Sequence, residues 1–458
     1  VLICGSITNR FRNLDRMSDA RETARKVLTA VGEGAKLDTV LQEMVYSGGL
    51  DARDRGFVAT VVKTVLRNRS LLDYQVSFFA KRPAAGIQPA LLDVLRVAAA
   101  ELCFMRTADY AAVNEAVETA GTRFGEKGAG FANAVLRRIA ETEKPVLPDR
   151  SDETCYLSVK YSHPAWLVKR WLGRLGRSEC EELLAVNNTD APLYVIHNPL
   201  RTTRCGLAAA VREAGADAET GPVETTRVDL RGKSIAQIPP LTDGRALIVD
   251  PSSTLGPRVL SLPRGALVLD MCAGVGGKTR QLSWAVGPDG GVLAADNVAA
   301  KLKALASKEA EYSGENVRPV VADSTKPLAR NVSYILLDVP CSNTGVLRRK
   351  PDVRWRLNED DLAGCAAVQL ALLSEGARSL APGGRLAYQT CSTEPEENER
   401  VVEAVVAAFP ELAVERPIGK LFNGYVVGDY IRAWPHRHGT NGAFVAVIRR
   451  GNGSKRER

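Results

Sequence analysis

ALVLDMCAGVGGKTRQLSWAVGPDGGVLAAD, residues 266–296, reads as a strand, a glycine-rich turn, a helix and a second strand. The first apolar run stops at an acid. Gly274, Gly276 and Gly277 then let the backbone turn sharply and come close to a ligand. Further on, RPVVAD (318–323), YILLD (334–338) and GRLAYQT (384–390) are again short apolar strands, most of them ending in or beside an acid or a thiol. Helical stretches, residues 299–312 and 361–380 among them, lie between. This alternation predicts an α/β domain with a parallel sheet covered by helices on both faces.

The glycine turn matches neither GxGxxG nor GxxxxGK[ST], so it supports neither a dinucleotide fingerprint nor a P-loop. Taken alone it could be no more than a tight connection. Asp296, at the end of the next strand, is placed to accept from both hydroxyls of a ribose. Asp323, after the third strand, is placed for an adenine amino group. Three such features along one sheet edge favour an adenosyl ligand without a phosphate tail. S-adenosylmethionine fits that description.

Two thiols stand out. Cys341 lies in DVPCSNTG just past one strand, in the same turn as Asp338, and Cys391 lies in YQTCS past another. A buried cysteine is usually a small inert hydrophobe. That reading suits Cys103, Cys155, Cys180 and Cys365, and Cys272 in the glycine turn reads as a packing residue. It suits two thiols in polar turns at strand ends less well. With Asp338 they suggest covalent chemistry on an electrophilic carbon. Arg348, Arg349 and Lys350 follow closely and could favour a thiolate or bind phosphate.

The rest of the chain divides by pattern. Residues 18–142 read as all-helical, with Phe57, Val61 and Val65 at helical spacing and Pro83, Gly86, Gly125 and Gly128 as turns between runs. EKPVLPD sits in a linker, 143–154. Residues 155–258 form a small α+β module, 259–450 the α/β domain and 451–458 a basic tail. Residues 1–17 read as a non-native or disordered extension before the helical part, with Met17 as a natural start. The chain has 458 residues, enough for two or three domains, and its net charge of +8 points to a polyanionic partner. Nine scattered cysteines argue for a reducing cytosol. No apolar run is long enough to span a bilayer, and the four histidines lack metal spacing, so neither a membrane nor a metal is expected.

DVPCSNTGVLRRKPDVRW (338–355), YQTCSTEPEEN (388–398), DMCAGVGGKT (270–279) and PHRHGTNGAF (435–444) together resemble the RNA (cytosine-5)-methyltransferases. Within them the chain is similar to the Sun/Fmu branch, which acts on bacterial 16S ribosomal RNA. The stretches 54–68, 91–102 and 130–139 resemble the NusB-like RNA-binding domain of that branch, and YSHPAWLVKRW (161–171) the segment after it. The resemblance implies an all-α NusB-like domain, a small α+β RNA-guiding module and a Rossmann-like class I methyltransferase domain. It implies that Cys391 attacks C6 of cytosine, that Asp338 binds the N3/N4 edge and that Cys341 assists release. The second thiol, in TCS, is what separates the RNA enzymes from DNA cytosine methyltransferases, which use the proline-cysteine thiol. For S-adenosylmethionine it implies Cys272, Ala273, Gly274, Val275, Gly276, Gly277 and Lys278, with Asp296, Asp323 and Asp338. Val275 stands where the family has proline, Asn441 and Ala443 where aspartate and phenylalanine are usual, and Val249 where glutamine is common. A monomer acting on 16S ribosomal RNA or an assembling small subunit is expected. The alternatives are the same chemistry on transfer RNA and a non-catalytic RNA-binding assembly factor.

Overall fold

The computed structural model describes residues 19–105, 107–308, 312 and 315–452. The expected extension 1–17, residues 309–311 of the 299–312 helical stretch and the 453–458 end of the tail lie outside the described residues. The chain forms two compact units. One runs to Thr189 and includes Arg349–Leu357; the other comprises Asp190–Arg348 and the chain from Asn358.

The first unit is helical. Its longer helices are Ala52–Ala80, Pro89–Phe104, Asp109–Ala140 and Ala165–Asn187. Asp51 caps the first of these by accepting from the Asp54 N–H. Val58, Val61, Val62 and Val65 point from it into the core, each worth about 1.5–3 kcal/mol when fully buried. The stretch 109–140 is interrupted at Gly125, whose φ of +69° and ψ of −172° are non-helical, so the turn the sequence suggests there separates two helical segments. Gly128 lies inside the second, where an added Cβ would come within 2.5 Å of the Phe124 Cβ. The 143–149 stretch is tied down: Gln75 donates to the Val146 carbonyl (2.6 Å) and accepts from its N–H (3.0 Å).

Residues 349–357 join this unit through side chains the helical periodicity does not announce. The Trp355 indole donates to the Leu66 carbonyl at 2.7 Å, and Asp352 accepts from the Leu37 N–H at 3.3 Å. Arg354, fully buried, donates to the Ser162 carbonyl (3.0 Å), the Asn187 carbonyl (3.1 Å) and Asn188 Oδ1 (2.7 Å).

The second unit begins with β1 (Leu193–His197), β2 (Asp217–Thr220), β3 (Thr226–Asp229) and β4 (Ala246–Ile248), an antiparallel sheet in the order β2-β3-β1-β4. Leu207 and Val211 of the helix Arg204–Glu213 cover it. The helices 153–160 and 165–187, which the sequence groups with this sheet, cluster with the first unit instead.

The large sheet holds β5 (Leu267–Asp270), β6 (Gly291–Asp296), β7 (Val317–Val321), β8 (Val332–Asp338) and β9 (Leu380–Thr390), in parallel in the order β9-β8-β5-β6-β7. The all-parallel expectation ends there. β13 (Ala443–Arg450) pairs antiparallel with β9, β10 (Leu412–Glu415) and β12 (Tyr430–Ala433) pair antiparallel with β13, and β11 (Val426–Val427) pairs antiparallel with β12. The sheet is therefore mixed. Its strands are nearly fully apolar because both faces are covered: Leu336 and Val292 face one core and Ile335 and Leu269 the other. The chain winds from β5 outward to β7, then returns to place β8 on the other side of β5. That reversal leaves a crevice at the carboxyl ends of β5 and β8, where ligands bind in open α/β sheets.

Candidate active site

The turn after β5 is built to approach a ligand. Gly274 has φ +57° and Gly276 φ +89°, conformations that favour glycine. An added Cβ on Gly276 would meet Leu305 at 2.8 Å, whereas Gly274 and Gly277 face open space. The helix Gly277–Val286 follows, its first N–H groups aimed out of the turn. Asp296, at the end of β6 and only 6% exposed, accepts from the Gly274 N–H (3.0 Å) and the Val298 N–H (2.9 Å). Lys301 stands 3.4 Å from it. Open space over a glycine turn, helix N–H groups beside it and a carboxylate at its edge suit the amino-acid and ribose parts of an adenosyl cofactor. Val275 is 59% exposed beside this space.

Asp323 is less committed. It lies beyond β7, where its carboxylate accepts from the Thr325 hydroxyl (2.7 Å) and N–H (3.1 Å). Those two bonds hold its pKa below the usual carboxylate value. Cys272 packs as a half-buried hydrophobe, and burial raises its thiol pKa.

At the end of β5, Asp270 is a residue the motifs do not single out. It is fully buried and accepts from Thr279 Oγ1 at 2.7 Å, tying strand to helix across the glycine turn. Burial raises its pKa to about 7, against the pull of the Thr279 hydroxyl.

The ends of β8 and β9 bring the predicted reactive groups together. Cys341 Sγ and Cys391 Sγ are 3.0 Å apart. Cys391 Sγ is also 3.1 Å from Asn343 Oδ1, and the Asn343 amide donates to the Cys341 carbonyl at 2.7 Å. Asn343 adopts φ +64°, which its short polar side chain tolerates. Gly345 donates to the Cys391 carbonyl at 2.9 Å and accepts from the Gly442 N–H at 2.7 Å. Side chains are excluded there, since a Cβ on Gly345 would lie 2.6 Å from the Cys391 oxygen. The 435–444 stretch thus crosses the two cysteine turns by backbone contact. Asn441 is held through its N–H by Asp250 Oδ1 (2.9 Å).

Asp338 accepts from Lys278 Nζ at 2.6 Å. Burial lowers the Lys278 pKa, but the Asp338 carboxylate and the Cys391 charge outweigh it and the net shift is upward. Lys278 therefore brings a cation to the cysteine crevice. Of the basic run after Cys341, Arg348 donates to the Asp190 carbonyl at 2.7 Å and Lys350 pairs with Asp38 at 3.8 Å. The Cys341 pKa is driven well above that of a free thiol by the hydrogen bond to Cys391, by burial, and by the charges of Cys391 and Glu397.

Comparison with known proteins agrees with this geometry. Residues 257–449 match the family model for 16S rRNA methyltransferase RsmB/F, residues 18–141 the NusB family, and residues 163–233 the ferredoxin-like domain of RsmF/B-like methyltransferases. A Mycobacterium tuberculosis protein is 32% identical over 96% of this chain and 98% of its own length. Ribosomal RNA small subunit methyltransferase B of Klebsiella pneumoniae is 30% identical over 87% of this chain and 91% of its own. The crystal structure of PH0851 shares the fold with a TM-score of 0.77 at 24% identity, over 93% of this chain and 98% of that one. A helical NusB domain, a small domain and a methyltransferase domain with a mixed sheet are the parts of an S-adenosylmethionine-dependent rRNA methyltransferase, and this chain belongs to the 16S rRNA methyltransferase RsmB/F family.

Proposed function

We propose that the protein methylates C5 of one cytosine in 16S ribosomal RNA through a covalent bond between Cys391 and C6. The observation that carries this reading is the pair of thiols 3.0 Å apart beside the Lys278–Asp338 ion pair. C5 of cytosine is a poor nucleophile. Addition of the Cys391 thiolate to C6 pushes an electron pair toward N3, and a carboxylate that accepts from the N4 amino group and favours protonation of N3 stabilises the adduct. Asp338, held by Lys278, takes the N3/N4 edge. C5 is then nucleophilic, and S-adenosylmethionine supplies the electrophilic methyl group. Loss of the C5 proton re-forms the C5–C6 double bond as the C6–sulfur bond breaks. Cys341, kept as a neutral thiol, is placed to assist release of Cys391.

Cofactor binding goes to residues 272–278 with Asp296, Asp323 and Asp338. Asp296 takes the ribose hydroxyls, which requires its present bond to Gly274 to be shared or exchanged. The helical part 18–142 and the module 155–258 guide RNA to the catalytic part 259–450, joined by 143–154. A monomer in the cytoplasm acting on RNA or an assembling small subunit completes the reading. Support for the ribosomal substrate comes from the relative named ribosomal RNA small subunit methyltransferase B. The test is bisulfite mapping of 16S RNA from cells with and without the gene, complemented by wild type or Cys391→Ala. One protected cytosine should appear with wild type alone. Protection restored by Cys391→Ala would remove the covalent assignment.

A further inference from the structure

Glu397 lies in the turn before the helix Glu399–Ala408, completely buried. Its Oε1 accepts from the Ser342 N–H (2.8 Å) and the Gln369 amide (2.9 Å), and its Oε2 from the hydroxyls of both Ser342 and Ser392. Ser342 follows Cys341 in the chain and Ser392 follows Cys391. One carboxylate therefore ties together the two turns that carry the thiols. The donors to both of its oxygens are neutral groups. A buried carboxylate held only by neutral donors is an expensive way to join two loops; neutral groups of the same shape would do so at lower cost. Its charge needs a purpose beyond scaffolding.

We propose that Glu397 is a positioning residue for methyl transfer, clamping Ser342 and Ser392 so that Cys341 and Cys391 stay in register. This rests on the covalent reading above, in which the two cysteines divide the work. The clamp sets the distance between the sulfurs because each serine is one residue from a thiol. The charge acts because it is buried beside Cys341, where little water screens it. It is among the influences that raise the Cys341 pKa.

The test uses the full chain carrying Glu397→Gln, with Cys391→Ala in parallel. The expected result is a kcat at least tenfold lower, with KM for RNA, KM for S-adenosylmethionine and cofactor Kd all within twofold. A merely structural role would weaken cofactor binding along with turnover. In the RNA-free enzyme, iodoacetamide labelling followed by peptide mass analysis should show the share of label on Cys341 rising severalfold in Glu397→Gln. If Glu397→Gln does not fold, Ser392→Ala, which keeps the charge and cuts one arm of the clamp, is judged by the same kinetic split. Unchanged kcat and unchanged labelling, or a loss matched by weaker cofactor binding, overturns the proposal. Normal turnover by Cys391→Ala would sink the covalent reading instead, and the RNA-free labelling would still report on Glu397.

Discussion

Cys341 and Cys391 share one hydrogen bond, and the proposed reaction gives them different roles. With Cys341 retained as a thiol, release of product should depend on it. Cys341→Ala is therefore expected to accumulate a protein–RNA adduct that survives denaturing electrophoresis. The adduct should vanish in Cys341→Ala/Cys391→Ala, and its persistence there would mean the roles are reversed. Asp296 offers a second residue-scale test. Its carboxylate already braces the Gly274 N–H and faces the proposed ribose position. Asp296→Ala should raise the cofactor Kd by roughly ten- to a hundredfold, the equivalent of about 1.5–3 kcal/mol for a charge-assisted hydrogen bond, with RNA affinity little changed. Calorimetric titration checks this, and an unchanged constant would move the adenosyl site elsewhere.

Between elements, the contact that shapes the glycine turn is Asp270 of β5 with Thr279 of the following helix. Its consequence is a pH dependence. The unfolded carboxyl ionises near 3.8, the folded one near 7. Between those values the unfolded chain gives up its proton first, so stability falls as pH rises through that window and levels off above it. A shift of about three units corresponds to a loss of roughly 4 kcal/mol at most. Asp270→Asn, which keeps an oxygen for Thr279, should remove this slope. Urea denaturation at pH 5 and pH 8 measures it, and equal slopes in wild type and variant would contradict the assignment. The glycine turn itself was legible from GVGG and its place after an apolar strand. Asp270 was not, because an acid at a strand end looks the same in sequence whether it faces solvent or core.

At the scale of the whole molecule, residues 349–357 leave the catalytic turn and become part of the helical unit. Removing residues 18–142 should therefore do two things. RNA positioning should suffer, seen as a KM for RNA that rises more than kcat falls and a shallower salt dependence of RNA binding. The melting temperature should also drop, because Trp355 and Asp352 lose Leu66 and Leu37. Activity titrated over RNA concentration, alongside a thermal melt, checks both. A folded truncation with wild-type activity at every RNA concentration would rule out the guiding role.

The sequence by itself determined the helical character of the first part, the strand–helix alternation of the last, the turn chemistry at β5 and the two thiols at strand ends. These are local properties: side-chain periodicity, glycine's access to positive φ and the placement of Cys after an apolar run are all read within a dozen residues. Only the tertiary structure decided that β13 enters antiparallel beside β9 and makes the sheet mixed. It alone decided that Lys278 pairs with Asp338 beside the two thiols, and that Glu397 joins the turns of Cys341 and Cys391. Those outcomes depend on which distant segments meet; Lys278 and Asp338, for example, are 60 residues apart in the chain. Burial then sets their energies, for a carboxylate such as Asp270 or Glu397 changes its protonation or its role only once the packed fold has taken it out of water.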